Sequence, residues 1–305
     1  MPLPSTPTRP FGAVLTAMVT PMTSDGAVDL DAAARLARHL VDEGHDGLVI
    51  SGTTGESPTT HTPEKAELIR AVVAAVGDRA FVVAGAGSND TAHAVRIAEA
   101  SADAGAHGLL VVAPYYSRPS QEGIVRHVRA IADSTDLPVM LYDVPGRAGV
   151  RFAYPTIDTL AQHDKVVAIK DASGDWYGAT KAIARTGLAW YSGDDSAYLT
   201  ALAAGAVGIV SVVGHVAGAR LAALTRAWDA GDHAEALRIF HTIVPAIDAV
   251  NGAGFQAVAA KAALETIGVL AGRAVRLPLV PATDDEAGAI RESLRAAGLL
   301  DVAVR

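Results

Sequence analysis

A single lysine ends a short apolar stretch near the middle of the chain. Residues 166–169 (VVAI) run without a polar interruption into Lys170, and Asp171 and a turn-forming Ala-Ser-Gly follow. Such a run is typical of a buried parallel strand. An amine beside an apolar interior is costly to keep charged, and its neutral form can attack a carbonyl carbon. On these residues alone, Lys170 is either a Schiff-base lysine or a solvated lysine at a strand end.

A second segment offers a place for an anion. In residues 52–56 (GTTGE), which we call the GTTGE turn, two glycines flank the hydroxyls of Thr53 and Thr54. Glycines allow main-chain N–H groups to turn toward one point, and such a turn can hold a carboxylate or a phosphate. An ordinary glycine-rich loop has the same composition, so the turn by itself leaves both interpretations open.

Aromatic and cationic residues follow two further apolar runs. Tyr142 ends one of them, and a phenol held at a strand end can transfer protons. Arg147, in the loop after it, offers a planar fork that fits a carboxylate. Tyr115 and Tyr116 follow another run, where paired tyrosines commonly fill a core or an interface. One amine, hydroxyls, a phenol and an arginine together fit carbonyl chemistry through a lysine Schiff base.

The elements that must position these residues alternate regularly along the chain. Eight short apolar runs alternate with amphipathic segments, a pattern that predicts a (β/α)8 barrel. A doubly wound open sheet is the alternative, but no Gly-x-Gly-x-x-Gly follows the first strand. In a barrel, all the residues named above lie at the carboxyl ends of the strands, where reaction sites form. The predicted strands are 13–20, 47–51, 81–85, 108–112, 138–142, 166–170, 189–192 and 207–211.

Three regions are expected along the chain. Residues 1–10, rich in Pro, Ser and Thr, are predicted to be a flexible tail and not a signal peptide. Residues 11–231 form the barrel, and residues 232–305 form a C-terminal helical region with helices over 233–250, 255–267 and 286–297. A short helix ending near residue 203 is expected to be capped by Asp194, Asp195 or Ser196.

Composition narrows the classes of function. The chain has 305 residues, half of them apolar, a net charge of −8 and no cysteine. Disulfides, zinc-thiolate sites and thiol catalysis are therefore excluded, and a nucleic-acid binder would show a basic face. No apolar stretch reaches the roughly 18 residues of a membrane span, so we expect a cytoplasmic protein. The strand ends carry no His pair or carboxylate cluster, so no metal or other cofactor is expected, and His215 alone is more often structural than a ligand.

The order and spacing of the motifs resemble the pyruvate-dependent class I aldolases, the family of dihydrodipicolinate synthase and N-acetylneuraminate lyase. The resemblance extends from about residue 12 to about residue 300. Within the family, the two threonines of the turn and the arginine after Pro-Gly are more similar to the synthases than to the lyases. The matching segments are 52–56 (GTTGE), 114–121 (PYYSRPSQ), 142–147 (YDVPGR), 169–172 (IKDA), 192–195 (SGDD) and 276–279 (RLPL).

The resemblance implies a reaction and a substrate site. Lys170 would form a Schiff base with pyruvate, and the enamine derived from it would attack L-aspartate 4-semialdehyde, in lysine and diaminopimelate biosynthesis. The backbone at Thr53 and Thr54 would hold the pyruvate carboxylate. Arg147 would hold the carboxylate of the semialdehyde. Gly193 and another matching residue, Val210, would line the pyruvate pocket.

The resemblance also implies a proton relay shared between subunits. Tyr142, Thr53 and Tyr116 would form it, with Tyr116 reaching in from a neighbouring subunit. The family norm is a homotetramer made of two tight dimers. A hydroxyl chain of this kind moves protons in an apolar site where water is scarce.

One departure from the family pattern concerns feedback regulation. In members inhibited by lysine, a site at the dimer interface binds the free amino acid, and Ser57, Asn89 and Tyr115 match that site. His93 stands where a glutamate is expected, and Lys65 where a histidine is expected. The inhibitor's ammonium would lose a carboxylate and meet an extra cation, at a cost of about 1–3 kcal/mol. We therefore predict weak or absent inhibition by lysine.

Two alternatives to the synthase remain at this stage. The first is a lyase that cleaves a 2-keto-3-deoxy sugar acid or N-acetylneuraminate to pyruvate, and Arg147 argues against it. The second is a non-catalytic relative that binds keto acids as a sensor, for which a lost Lys170 or Tyr142 would be the expected mark. Neither nucleic acid nor a membrane is expected as a partner.

Overall fold

The structure is a computed structural model that describes residues 8–252 and 254–300. Three parts of the chain lie outside the described residues: 1–7 of the predicted tail at 1–10, residue 253, and 301–305 at the end of the predicted C-terminal region. Eight parallel strands close on each other in chain order, so that the first strand pairs with both the second and the eighth. The (β/α)8 barrel predicted from the apolar runs is therefore confirmed.

The strands lie within a few residues of their predicted limits. Each is short and almost wholly buried, because a barrel strand faces a packed interior on one side and helices on the other. The strands are β1 Val14–Ala17, β2 Gly47–Ile50, β3 Phe81–Gly85, β4 Gly108–Val112, β5 Val139–Asp143, β6 Val166–Asp171, β7 Ala189–Ser192 and β8 Gly208–Ser211.

Helices connect successive strands and then continue beyond the barrel. The helices around the barrel are α1 Leu30–Asp42, α2 Thr62–Val76, α3 Thr91–Asp103, α4 Gln121–Asp133, α5 Pro145–Ala148, α6 Tyr154–Leu160, α7 Trp176–Thr186, α8 Tyr198–Ala204 and α9 Gly214–Asp229. The C-terminal helices are α10 His233–Gly252, α11 Gln256–Thr266 and α12 Asp284–Ala296. A 3-10 turn at Ser57–Thr59 precedes α2.

The side chains inside the barrel form a separate packed layer. Leu15, Val49, Val83 and Met140 point inward on alternate strand positions and are buried. Phe11 closes the N-terminal end, because a side chain at Gly108, the first residue of β4, would meet its ring at 2.5 Å. The interior is therefore filled from below, and the open space lies at the carboxyl ends of the strands.

Two local predictions differ from the structure. The expected side-chain cap on α8 is wrong, because α8 begins after Ala197 and receives no side-chain hydrogen bond there. Asp195 is buried and instead accepts hydrogen bonds from Val212 N and Val213 N, at 3.1 and 2.9 Å, in the loop after β8. A tertiary contact thus replaces the local cap. Helix α9, which completes the barrel, had no counterpart in the predicted elements.

Candidate active site

Lys170 lies at the carboxyl end of β6 and is 4% exposed. Its register partners on the two neighbouring strands are Tyr142 and Tyr191. The ammonium nitrogen lies 4.3 Å from the centroid of the Tyr142 ring. Within 8–252 and 254–300, no carboxylate pairs with this lysine. Lys170 is therefore a buried amine packed against an aromatic face. It is not a solvated lysine at a strand end, which was the alternative interpretation.

The space above Lys170 depends on a glycine. A side chain at Gly193, in the loop after β7, would lie 3.0 Å from both Cε and Cγ of Lys170. That distance is too short for an unstrained contact, so only glycine leaves room beside the amine. Val210, on β8, is fully buried in the inner layer of the barrel. Gly193 therefore lies beside the lysine, and Val210 lies in the packed interior of the barrel.

The GTTGE turn follows β2 and is closed by its own main chain. Glu56 N donates to Thr53 O at 3.1 Å, and Ser57 N donates to Gly52 O at 3.2 Å. Thr54 is buried and Thr53 is half-buried. These hydrogen bonds give the turn a fixed shape, as a carboxylate-binding main chain requires.

Tyr142 lies on β5, and Arg147 lies on the short helix α5 that directly follows this strand. Tyr142 is buried near the end of β5, and Arg147 is exposed on α5. The Arg147 guanidinium lies 5.0 Å from the centroid of the Phe255 ring, and its Nη2 donates to Gln256 Oε1 at 3.2 Å. The start of α11 therefore holds this arginine over the mouth of the barrel.

Two adjoining cavities open at the carboxyl ends of the strands, with Tyr142 and Arg147 in the walls of both. The first, about 400 Å³, also contains Thr53, Ser57 and Tyr115. The second, about 610 Å³, also contains Gly193, and Lys170 lies directly beneath that glycine. Thr54, Lys170, Val210 and Tyr116 are not among the residues that line either cavity. The structure thus gathers the phenol, one threonine hydroxyl and the arginine around one cleft, and the Lys170 amine lies behind its wall, against the Tyr142 ring and beside Gly193.

Comparison with known proteins decides the family. The family model of the dihydrodipicolinate synthetases matches residues 10–297. The chain belongs to the dihydrodipicolinate synthetase family. The enzyme class expected from the resemblance is therefore confirmed at the level of the family.

Relatives within the dihydrodipicolinate synthetase family match nearly the whole chain. The 4-hydroxy-tetrahydrodipicolinate synthase of Kineococcus radiotolerans is 57% identical over 293 residues, which span 96% of this chain and 95% of the relative. The dihydrodipicolinate synthase of Bacillus anthracis superposes with a TM-score of 0.90 at 41% identity, covering 93% of this chain and 98% of that one. The dihydrodipicolinate synthase of Cyanidioschyzon merolae, solved with lysine bound, superposes with a TM-score of 0.92 at 40% identity. The match covers 96% of this chain and 100% of that one.

Tyr116 stands apart from the other residues expected in the family's proton relay. It is 88% exposed, with its backbone in the left-handed region at a φ of 72°. Its N–H donates to Ala148 O at 3.3 Å, which fixes the backbone beside α5. Within a single copy of the chain, only Tyr142 and Thr53 of the three expected relay residues share a cavity.

Two buried carboxyl groups behind the site were not predicted from the sequence. Asp143 and Asp171 directly follow Tyr142 and Lys170, and alternation along a strand turns them away from the barrel interior. Asp143 accepts a hydrogen bond from Phe152 N at 3.1 Å, and Asp171 accepts one from the Trp190 indole N–H at 2.9 Å. Burial, with Asp171 nearby, raises the pKa of Asp143 to about 7. The two carboxyls anchor the strand ends that carry the phenol and the amine.

The residues that differ from the family's lysine-binding pattern lie beside the first cavity. Lys65 is 5% exposed, and its Nζ donates to Ser57 Oγ at 2.9 Å. Burial lowers the pKa of Lys65 to about 8. The ring nitrogens of His93 lie 3.4 Å from Thr62 Oγ1 and 3.3 Å from Ser88 Oγ. Lys65 is therefore buried behind this cavity and bonded to Ser57, one of the residues that line it.

Among the described residues, no three side chains of the His, Asp or Glu type come close enough together to hold a metal ion. None of the helices described is long and apolar enough to cross a membrane.

Proposed function

We propose that this chain condenses pyruvate with L-aspartate 4-semialdehyde to 4-hydroxy-tetrahydrodipicolinate, in lysine and diaminopimelate biosynthesis. The observation that carries the proposal is Lys170, a buried amine without a counter-ion among the described residues, beneath a cleft lined by Thr53, Tyr142 and Arg147. A desolvated amine of this kind forms Schiff bases with carbonyl substrates. The relatives named as synthases support the same reaction.

The first half of the reaction takes place at Lys170. Its amine attacks the keto carbon of pyruvate, and water leaves as the imine forms. The main chain at Thr53 and Thr54 holds the pyruvate carboxylate, and Gly193 leaves the space that the adduct occupies. Loss of a proton from the methyl group then gives an enamine, whose carbon is the nucleophile for the second half.

The second half joins the two substrates and frees the enzyme. The enamine carbon attacks the aldehyde of the semialdehyde, whose oxygen takes up a proton and becomes the 4-hydroxyl group. The semialdehyde's own amine then attacks the imine carbon, closes the ring and displaces the Lys170 amine. One water is released for each pair of substrates. Arg147, held by Phe255 and Gln256, binds the carboxylate of the semialdehyde.

Protons move through hydroxyl groups at the cleft. Tyr142 and Thr53 lie in its walls, and an exposed Tyr116 from a neighbouring subunit completes the relay. The active form is a homotetramer of two tight dimers, with Tyr116 shared across the tight dimer. Its test is the activity of mixed dimers of Tyr116→Phe and Tyr142→Phe chains. If sites are shared, a mixed dimer regains one complete site that neither parent variant has.

Three further assignments accompany the proposed reaction. The protein works in the cytoplasm and uses no metal or other cofactor. The barrel occupies residues 11–231, supported by the end of α9 at Asp229 and the left-handed Gly231. The C-terminal helical region begins at residue 232 and includes α10, α11 and α12. Lysine inhibits weakly or not at all, because a buried Lys65 is bonded to Ser57, one of the residues expected to bind the inhibitor. A lysine inhibition constant well below millimolar would contradict this.

A substrate panel and a trapping experiment test the reaction together. Incubation with pyruvate and borohydride should add the mass of a reduced pyruvate adduct to the peptide that contains Lys170. Turnover should require pyruvate and aspartate semialdehyde, with little cleavage of N-acetylneuraminate or 2-keto-3-deoxygluconate. Arg147→Ala should raise the semialdehyde KM about 10- to 100-fold, since a charge-assisted bidentate contact is lost. Turnover of a sugar acid alone would contradict the synthase, and the absence of any adduct would favour a non-catalytic binding protein.

A further inference from the structure

The GTTGE turn is bracketed by two residues in an unusual backbone conformation. Ser51, directly before it, has a φ of 56°, and Glu56, its last residue, has a φ of 57°. Neither is glycine, so both occupy the left-handed region at a cost in strain. Strained residues persist only where surrounding contacts hold them. The turn therefore needs external support to keep its shape.

Close packing supports the Ser51 side of the turn. A side chain at Gly85, the last residue of β3, would lie 2.3 Å from Ser51 O. The two backbones are therefore in direct contact, and Ser51 cannot relax toward β3. This support is local, since it comes from the neighbouring strand of the barrel.

An ion pair with a residue far along the chain supports the Glu56 side. Lys261 Nζ on α11 donates to Glu56 Oε1 at 2.5 Å, and Arg276 N donates to Glu56 Oε2 at 2.9 Å. Exposure is 1% for the Lys261 side chain and zero for that of Glu56. Lys261 also donates to Ala274 O at 2.7 Å, and Glu56 O accepts from Thr60 Oγ1 at 2.9 Å. Both carboxylate oxygens are thus held by the C-terminal helical region.

A second ion pair lies close by, and it reaches the turn only through the main-chain N–H of Arg276. The Arg276 guanidinium pairs with Glu64 on α2 at 2.5 Å and donates to Gly26 O at 2.7 Å. It therefore ties the same C-terminal segment to other parts of the barrel. The two pairs, Lys261–Glu56 and Arg276–Glu64, differ mainly in whether they restrain the GTTGE turn.

We infer that Lys261 is a positioning residue for the keto-acid substrate: through Glu56 it holds the GTTGE turn in the shape that binds the substrate's carboxylate. The inference rests on the proposed function, because the turn is the proposed pyruvate site. It gives the C-terminal helical region a direct part in setting the affinity for pyruvate. The acceptor site at Arg147 rests on Phe255 and Gln256 at the start of the same helix, and it is not hydrogen-bonded to Glu56.

The size of the effect follows from the fraction of molecules with a competent turn. If release of Glu56 lowers that fraction about tenfold, the apparent dissociation constant for pyruvate rises by the same factor. The chemical step at saturating pyruvate changes little, because a bound molecule has the turn in place. The KM for the semialdehyde also changes little.

Three variants of the full-length chain test the inference. Lys261→Met removes the tether. Glu56→Gln with Lys261→Met removes both charges and leaves no unpaired buried ion. Glu56→Gln alone has the shape of the native side chain and remains measurable if the other two fail to fold. Glu64→Gln is the matched control, because it breaks the neighbouring ion pair and keeps both donors to the Glu56 carboxylate, Lys261 Nζ and Arg276 N.

The readout is the pyruvate concentration for half-maximal adduct formation by borohydride trapping, measured alongside both KM values and kcat. We expect about a tenfold rise for the variants without the tether, a smaller rise for Glu56→Gln and less than a twofold change for Glu64→Gln. Lys261→Arg should restore part of the native affinity. Variants that lose thermal stability but keep the native pyruvate dependence would overturn the inference.

The two proposals fail in different ways. If the native protein forms no adduct with pyruvate, the proposed function is wrong. If the native protein forms the adduct and the Lys261 variants form it at the same pyruvate concentrations, only the positioning role is wrong. An equal rise in the Glu64→Gln control would also contradict it, because general loosening of the C-terminal region would then suffice.

Discussion

Two buried lysines, Lys170 on β6 and Lys261 on α11, show that the same type of side chain can serve two different purposes. Both are nearly inaccessible, at 4% and 1% exposure. Lys261 has a carboxylate at 2.5 Å and a carbonyl oxygen at 2.7 Å. Lys170 has only the face of the Tyr142 ring at 4.3 Å and a glycine-lined space beside it. Among the described residues, no carboxylate pairs with Lys170 as Glu56 does with Lys261.

The difference lies in what each environment does to the ammonium. Burial alone disfavours the charged form, and an adjacent carboxylate opposes that effect. Lys261 is therefore suited to remain an ion that ties two regions together, and breaking its pair leaves a buried charge. Lys170 has no carboxylate partner among the described residues and has open space beside it, so its nitrogen is accessible to a substrate. Burial identifies both lysines as important, but only the presence or absence of a partner separates the tether from the nucleophile.

The largest expected effect is on the reaction at Lys170. Lys170→Met should lower kcat by at least about 10³-fold and abolish the borohydride-trapped adduct, because no other amine occupies this position. Stability should change little, since methionine fills similar volume and no ion pair is lost. Lys261→Met should show the reverse pattern, with adduct formation retained at high pyruvate. An adduct that persists in Lys170→Met would break the distinction between the two lysines.

The second effect is on stability at Lys261. Lys261→Met should lower the free energy of unfolding in urea by about 3–5 kcal/mol, because it leaves Glu56 buried without its counter-ion. The double variant with Glu56→Gln should recover most of that loss, since no uncompensated charge remains. Arg185→Met, which breaks an exposed ion pair with Asp158, should lose less than about 1 kcal/mol. Equal losses in the single and double variants would contradict the ion-pair explanation.

The comparison also shows which parts of the site the sequence can predict. Lys170, Tyr142 and the GTTGE turn were predictable because each ends an apolar run, and a barrel brings strand ends together. The tether was not, because Lys261 lies 205 residues from Glu56 and sits in an ordinary Ala-rich helix. A contact of that separation leaves no local pattern. Asp143 was likewise not singled out, although its position directly after Tyr142 was a usable signal.

The fold was predictable for the same physical reason, with one informative exception. Apolar runs must be buried, so the eight strands could be placed to within a few residues. Asp195 was expected to cap α8, but it is buried beneath the loop after β8 and bonds the main chain there. The N–H groups that bond Asp195 come from a loop that is distant in sequence. Capping rules consider only the neighbouring residues of a helix, so they could not predict these donors.

A third effect concerns the carboxyl beside Tyr142. Burial raises the pKa of Asp143 to about 7, so between pH 4 and 7 the folded state binds more protons than the unfolded state. Its stability contribution is therefore complete near pH 4 and is lost as the pH rises through 7. Relative to native protein, Asp143→Asn should gain stability by a few kcal/mol between pH 4 and 8.

Unfolding in urea across this pH range measures the gain, with exposed Asp103→Asn as the control. The groups that face Asp143 are Asp171 and Arg151, and both remain in the variant. A difference between Asp143→Asn and native protein that is the same at pH 5 and pH 8 would contradict the raised pKa. If Asp103→Asn changed the pH dependence of the unfolding free energy in the same way, the change would not come from the buried Asp143 carboxyl.

The smallest effect tests the intermediate case, Lys65, which is buried with a hydroxyl as its partner and no carboxylate. Its pKa is lowered to about 8 by burial, so at pH 7 the folded state holds a charge that the unfolded state carries at less cost. The penalty is complete below pH 8 and disappears as the pH approaches 10.5. Lys65→Met also loses the hydrogen bond to Ser57, worth about 1 kcal/mol, so the net gain in stability at pH 7 should be on the order of 1 kcal/mol and should shrink by pH 10.

The control is Lys165→Met, at a half-buried lysine close to Asp136, which should show no such gain. A loss of several kcal/mol in Lys65→Met would place Lys65 with Lys261 as a paired ion and would require an anionic partner that this chain, over its described residues, does not supply.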